Sequence, residues 1–182
     1  MSQLSRTFDP LPSAMSEADF LAVFGGVYEH SAWVAEQVWR GGLRERHDDV
    51  DGLAQAMARV VDTANAGVKH TLINNHPDLA GRAAVAGELT AESTEEQSSA
   101  GIHLCTPAEF EQFTRFNRNY KRRFGITFVM AVKHSNRHQI LAAFEERLSN
   151  DPTTEFRRAI SEIHKIARFR LEAIAEAAPR ND

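Results

Sequence analysis

Apolar residues recur three or four positions apart through most of this sequence, the period of helices that bury one face. Ser16 predicts the first helix start, with Asp19 three places on and an apolar face of Phe20, Val23 and Phe24, and Gly25-Gly26 ends it. Val27, Trp33, Val34 and Val38 predict a second helix over about 27–39, stopped by Gly41-Gly42. A third covers about 49–66 with Leu53, Met57, Val60 and Val61 inward, and a short one covers about 67–74. Thr90 caps a helix over about 91–100. The clearest start is Thr106-Pro107-Ala108-Glu109, which combines an N-cap hydroxyl, proline in the first turn and a glutamate placed to return the capping bond. Phe110, Phe113, Tyr120 and Phe124 then form one stripe before Gly125. Residues 126–132, ITFVMAV, break the helical period; the run is β-branched and apolar, so it predicts a short buried extended segment, and one such segment makes no sheet. Helices over about 137–149 and 153–177, separated at Asp151-Pro152, close the chain. The expected fold is all-α: a single-domain bundle of about eight helices over 1–182, with that one extended segment and an extended N-terminal arm over 1–13.

Composition narrows the function classes. The 182 residues are 42% hydrophobic and 25% charged, ordinary for a globular chain. Lys and Arg number 21 against 25 Asp and Glu, a net charge of -4, so the basic surplus needed to grip nucleic acid or an anionic membrane is missing. The cluster Arg115, Arg118, Lys121, Arg122 and Arg123 lies mostly opposite the aromatic stripe and reads as a solvated face. A lone cysteine, Cys105, forms no intrachain disulfide, which suits a reducing compartment. No apolar run approaches the roughly 20 residues that cross a bilayer, and the start MSQLSRTFDP lacks the regions of a secretory signal. The expectation is a soluble cytoplasmic protein. Without HExxH, paired cysteines, a Walker loop or GxGxxG, neither a metal nor a nucleotide cofactor is expected.

Three places carry candidate chemistry. His76 immediately precedes Pro77, which pushes it out of helical backbone angles and toward a helix end, where an imidazole can face a cavity. A surface or capping histidine fits the same pair of residues. In a helix, Ser93, Glu96 and Gln97 share one face, offering a hydroxyl, a carboxylate and an amide to a small polar ligand; an ordinary solvated helix fits them too. On the last helix, Phe156, Ile160, Ile163, Ala167, Leu171 and Ile174 fall on one side, and Arg170 projects from that apolar side while Arg157, Arg158 and Arg168 do not. A buried guanidinium requires a carboxylate or a ligand anion. An internal salt bridge and an anion site both stay open at this point.

Taken in order, HPDLAG, LTAESTEEQ, FNRNYKRRFGITFVMAV and EIHKIARFRL resemble the 2-oxo-4-hydroxy-4-carboxy-5-ureidoimidazoline (OHCU) decarboxylases of purine breakdown, with a likeness running from about Ala14 to Ile174. The resemblance implies an all-helical, cofactor-free enzyme, usually a homodimer, that converts OHCU to (S)-allantoin with loss of carbon dioxide. It matches the family's catalytic histidine to His76 and its glutamate to Glu96. Substrate contacts match Pro77, Ser93, Gln97 and Arg170, and the pocket-lining segment runs through Phe128 and Met130. Three positions depart from the family pattern: Thr127 replaces a common proline, Ala32 interrupts Ser-Pro-Trp, and the loop after Trp39 lacks Arg-Pro-Phe. Two other readings compete, a ureide-binding module without turnover and, resting only on the 115–123 cluster, a helical regulator of nucleic acid.

Overall fold

The computed structural model describes residues 6–81, 84 and 86–177. Eight α-helices have described bounds: α1 (Glu17–Phe24), α2 (Trp33–Arg40), α3 (Val50–Thr63), α4 (Ala66–Asn74), α5 (Ala91–Ser99), α6 (Pro107–Phe124), α7 (Arg137–Arg147) and α8 (Pro152–Ala177). Among the described residues there is no strand, only an isolated antiparallel bridge between Thr7 and Asp49. The all-α expectation holds. No helix among these residues is long and apolar enough to cross a membrane. The chain divides into two compact units, one of Met1–Leu72 with His164–Asp182 and one of Ile73–Ile163.

In the first unit, α1 starts where its cap predicts: the Ser16 hydroxyl accepts the Asp19 N–H at 3.2 Å and donates to the Asp19 carboxylate at 2.6 Å. Phe20 and Phe24 are buried as expected, but Val23 is 41% exposed and lies off the inward face. Phe24 meets Phe8 edge to face with centroids 5.0 Å apart, and Phe20 lies 5.7 Å from Trp39. Arg6 and Phe8 run beside the start of α3, with Phe8 N–H donating to Asp48 and Val50 N–H to Arg6, both at 2.9 Å. The second helix starts at Trp33, not near Val27. Residues 27–31 turn instead: Val27 N–H bonds Phe24, Ser31 N–H bonds Tyr28, and His30 is left-handed at φ 46°. Val27 is buried by that turn, so its helical spacing from Trp33 reflects burial without helix.

The second unit is built on aromatic packing. The capping box at Thr106 forms in both directions, Glu109 N–H to Thr106 Oγ1 at 3.2 Å and Thr106 N–H to Glu109 Oε2 at 2.8 Å. Helix α6 ends at Gly125, whose φ of 69° is the left-handed turn that glycine adopts without strain. Phe113, Phe116 and Tyr120 of α6 surround Phe144 of α7, and Phe128 stacks on Phe144 with centroids 3.7 Å apart. Phe110 and Phe124 sit only partly covered at the edges of this cluster.

Candidate functional site

His76 sits just beyond α4, 8% exposed, with its N–H bonded to Ile73 at 3.2 Å. Pro77 follows, and residues 78–81 turn tightly: Ala80 is left-handed at φ 50°, and Gly81 N–H reaches back to Asp78 at 3.3 Å. A Cβ on Gly81 would fall 2.7 Å from the Asp78 Cβ, so this turn leaves no room for a side chain there. Backbone groups that the turn strips of helical partners are taken up by side chains. Gln97 accepts the Ala80 N–H at 3.1 Å and donates to the Asp78 carbonyl at 3.4 Å, and Asn117 donates to the Leu79 carbonyl at 2.9 Å.

These bonds join the His76 loop to α5. Its N-cap Thr90 accepts the Ser93 N–H at 3.2 Å. Ser93 and Gln97 are buried at 4% and 5% exposure, Glu96 is partly exposed, and Glu92 and Glu95 face solvent. The shared polar face predicted for Ser93, Glu96 and Gln97 is therefore the inward one, and Gln97 brings it against the His76 loop.

Residues 126–132 form neither helix nor strand. Phe128 turns its ring into the aromatic core, whereas Met130 is half-buried. The backbone is paired by side chains: Asn74 accepts the Thr127 N–H at 2.9 Å, Glu162 accepts the Ala131 N–H at 2.9 Å, and Arg147 donates to the Val129 carbonyl at 2.7 Å. Arg147 also lies 4.3 Å from the Phe128 ring centroid and donates Nε to Glu155 at 2.9 Å. Glu155 additionally accepts from Tyr120, and burial pushes the Tyr120 phenol well above its ordinary value. Thr127 thus keeps the segment anchored, its hydroxyl 3.3 Å from Asn74 Oδ1.

In the first unit, Arg170 is 6% exposed and its Nη1 lies 2.7 Å from the Glu29 carboxylate and 3.4 Å from the Gly26 carbonyl. The carboxylate that a buried arginine requires is therefore present, and spacing alone did not reveal it, because Glu29 lies in the 27–31 turn far away in sequence. Beside Glu29, the Tyr28 hydroxyl lies 2.9 Å from His164 Nδ1, and His164 Nε2 lies 3.1 Å from Asp62. Burial, with the Asp62 charge second, raises the Tyr28 phenol, so it stays protonated within this hydrogen bond.

Elsewhere, burial and then the Glu109 carboxylate push the Cys105 thiol upward, away from a reactive thiolate. Lys121 of the basic cluster reaches Asp78 at 2.7 Å, and Arg123 donates to the Asn150 carbonyl at 3.2 Å. Among the described residues no three His, Cys, Asp or Glu side chains group as a metal site.

Residues 13–172 match the OHCU decarboxylase family model. The chain is 41% identical over 157 residues to the 2-oxo-4-hydroxy-4-carboxy-5-ureidoimidazoline decarboxylase of Haloferax volcanii, covering 86% of this chain and 89% of that protein. It is 39% identical over 163 residues to the protein of the same name in Halalkalicoccus jeotgali, covering 88% and 89%. The crystal structure of an (S)-allantoin synthase superposes with a TM-score of 0.70 at 30% identity. That match covers 90% of this chain and 52% of the synthase chain, so this chain spans about half of that protein.

Proposed function

This chain belongs to the OHCU decarboxylase family, and from that premise we propose that it decarboxylates OHCU to (S)-allantoin in urate breakdown. The observation that carries the reading is the buried His76 at the head of a turn tied by Gln97 to the polar face of α5, where Ser93 and Glu96 also sit. The substrate carries a carboxylate on a ring carbon. When the bond to carbon dioxide breaks, its electron pair moves into the ring to form a double bond to the neighbouring ureido-bearing carbon. Loss of the hydroxyl proton then turns that oxygen into the ring carbonyl, and a new proton must arrive on one face of the ureido-bearing carbon. The obstacle is the developing negative charge and the loss of stereochemical control. An imidazole that can accept the substrate hydroxyl proton lowers the first barrier, and general acid–base help of this kind is worth about 10² to 10⁴ in rate. His76 takes this role. Glu96 orients it and holds the ureido or hydroxyl portion, with Ser93, Gln97, Pro77 and the Phe128–Met130 backbone as further substrate contacts. Arg170 is assigned an anionic or carbonyl oxygen of the substrate, for which a planar guanidinium supplies a forked pair of donors.

The same reading takes the protein to be a cytoplasmic homodimer, the oligomeric state being measurable by light scattering with multi-angle detection. The activity test generates OHCU in place from urate oxidation and follows allantoin chirality by circular dichroism. The parent is expected to speed formation of the (S) product, and His76→Asn or Glu96→Gln to lose at least about 100-fold with the helical spectrum intact. Parental rates in either folded variant would refute its assigned role. Binding without faster turnover in the parent would favour a ureide-binding module.

A further inference from the structure

We propose that Asn117 of α6 is a positioning residue for His76, holding the 77–81 turn jointly with Gln97; the catalytic side of this inference rests on the function proposed above. The turn is costly in itself. Ala80 occupies the left-handed region, where an L side chain is disfavoured, and a conformation of this kind persists only when its surroundings over-determine it. What determines it is a set of side chains from two helices. Gln97 holds the Asp78 carbonyl and the Ala80 N–H, Lys121 pairs with the Asp78 carboxylate, and Asn117 donates to the Leu79 carbonyl between them. Lys121 is half-exposed, whereas Asn117 and Gln97 are each 5% exposed and act in a drier setting. All the groups they hold lie within four residues of His76.

The other end of Asn117 sharpens the point. Its Oδ1 is buried and has no hydrogen-bond partner among the described residues. A partnerless buried acceptor is unfavourable, so stability by itself favours an apolar side chain of similar size at 117. What the amide adds is one donor, and that donor goes to the turn that follows His76. Releasing Leu79 lets the turn relax toward ordinary backbone angles and shifts the imidazole. A misplacement of about 1 Å in a reacting group costs on the order of 100-fold in rate.

The experiment measures Asn117→Ala and the isosteric Asn117→Asp in the full chain. Steady-state kinetics use OHCU generated in place, and NMR follows ring-labelled histidine with the His76 signal assigned by its loss in His76→Asn. Asn117→Ala is expected to lower kcat by about tenfold or more with KM little changed, and to move or broaden the His76 signal. In Asn117→Asp the ionised carboxylate has no proton to give the Leu79 carbonyl, so the kcat of that variant relative to the parent should be depressed at neutral pH and recover as the carboxyl protonates. Folded Asn117 variants with the parental kcat and an unmoved His76 signal would overturn the proposal. A parental rate in His76→Asn would instead overturn the role of His76, while a displaced His76 signal in Asn117→Ala would still establish the structural tie.

Discussion

Arg147 offers a direct stability test, because its guanidinium is committed on every side. It is 3% exposed, pairs with the fully buried Glu155, donates to the Val129 carbonyl at 2.7 Å and lies over the Phe128 ring. Replacing it with methionine keeps much of the volume but leaves two groups stranded. The Val129 carbonyl loses its partner, at about 1–3 kcal/mol for a buried acceptor. Among the described residues Glu155 then keeps the Tyr120 hydroxyl and the Asn150 amide, the latter at 2.8 Å, to balance its charge. Breaking one side of a buried pair costs about 3–5 kcal/mol in all, a figure that includes much of the carbonyl loss. For a chain of this size each kcal/mol lowers Tm by roughly 2–4 °C, so Arg147→Met should melt roughly 6–20 °C lower. Urea unfolding followed at 222 nm reads the same loss as a lower midpoint. The double variant Arg147→Met/Glu155→Leu removes the stranded charge and should recover part of the loss, stopping short because the Val129 carbonyl stays unpaired. A single variant within about 1 kcal/mol of the parent, or a double variant costing the sum of the two singles, would refute this account of the pair.

Three further expectations concern the first unit. His47 is held below the ordinary histidine value of 6.5, first by burial and then by the Arg46 charge, so the unfolded chain binds a proton that the folded one refuses. Its contribution to stability is complete above about pH 6.5 and is lost as pH falls toward the lower folded value; thermal melts from about pH 7 to 5 should decline less steeply in His47→Gln, and identical slopes would contradict this. His164→Phe strands the Tyr28 hydroxyl and should cost about 1–3 kcal/mol, much of it restored by adding Tyr28→Phe; a loss that simply adds up in the pair would show the two rings to be uncoupled. Arg170→Lys removes the forked geometry and should raise KM for OHCU, and unchanged saturation behaviour would assign Arg170 to the Glu29 ion pair alone.

The helices were legible because their signals are local. Thr106 and Glu109 are three residues apart, and both capping bonds form between them. Asn136 does the same for α7 by accepting the His138 and Gln139 N–H groups at 3.0 Å. The false start at Val27 shows where a local signal misleads. Periodic burial is necessary for a helix packed on a core but not sufficient, and a turn that folds Val27 inward satisfies the same spacing. The candidates at 76, 93, 96, 97 and 170 were picked out on similar grounds, by helical phase or a following proline. Their partners were not. The Asn117 side chain and the Leu79 carbonyl are 38 positions apart, and Arg147 meets a backbone group 18 positions away. No periodicity records which distant carbonyl a polar side chain will reach.

One constraint nevertheless reaches beyond local pattern, and it was available before any coordinates. A buried segment outside helix must have its N–H and C=O groups paired, and where no strand is expected alongside, nothing in the backbone pairs them. Residues 126–132 therefore require polar side chains brought in from helices and buried with them. Arg147 and Glu162, on α7 and α8, meet that requirement with almost no exposure, and Asn74 at the end of α4 reaches Thr127 from an exposed position. The same reasoning applies to the turn after His76, whose stripped carbonyls and N–H call up Gln97 and Asn117. In both places polar side chains are buried where the backbone leaves regular structure. These are also the two segments that the family resemblance assigns to substrate, and on that proposed assignment the residues that satisfy the backbone would also shape the site.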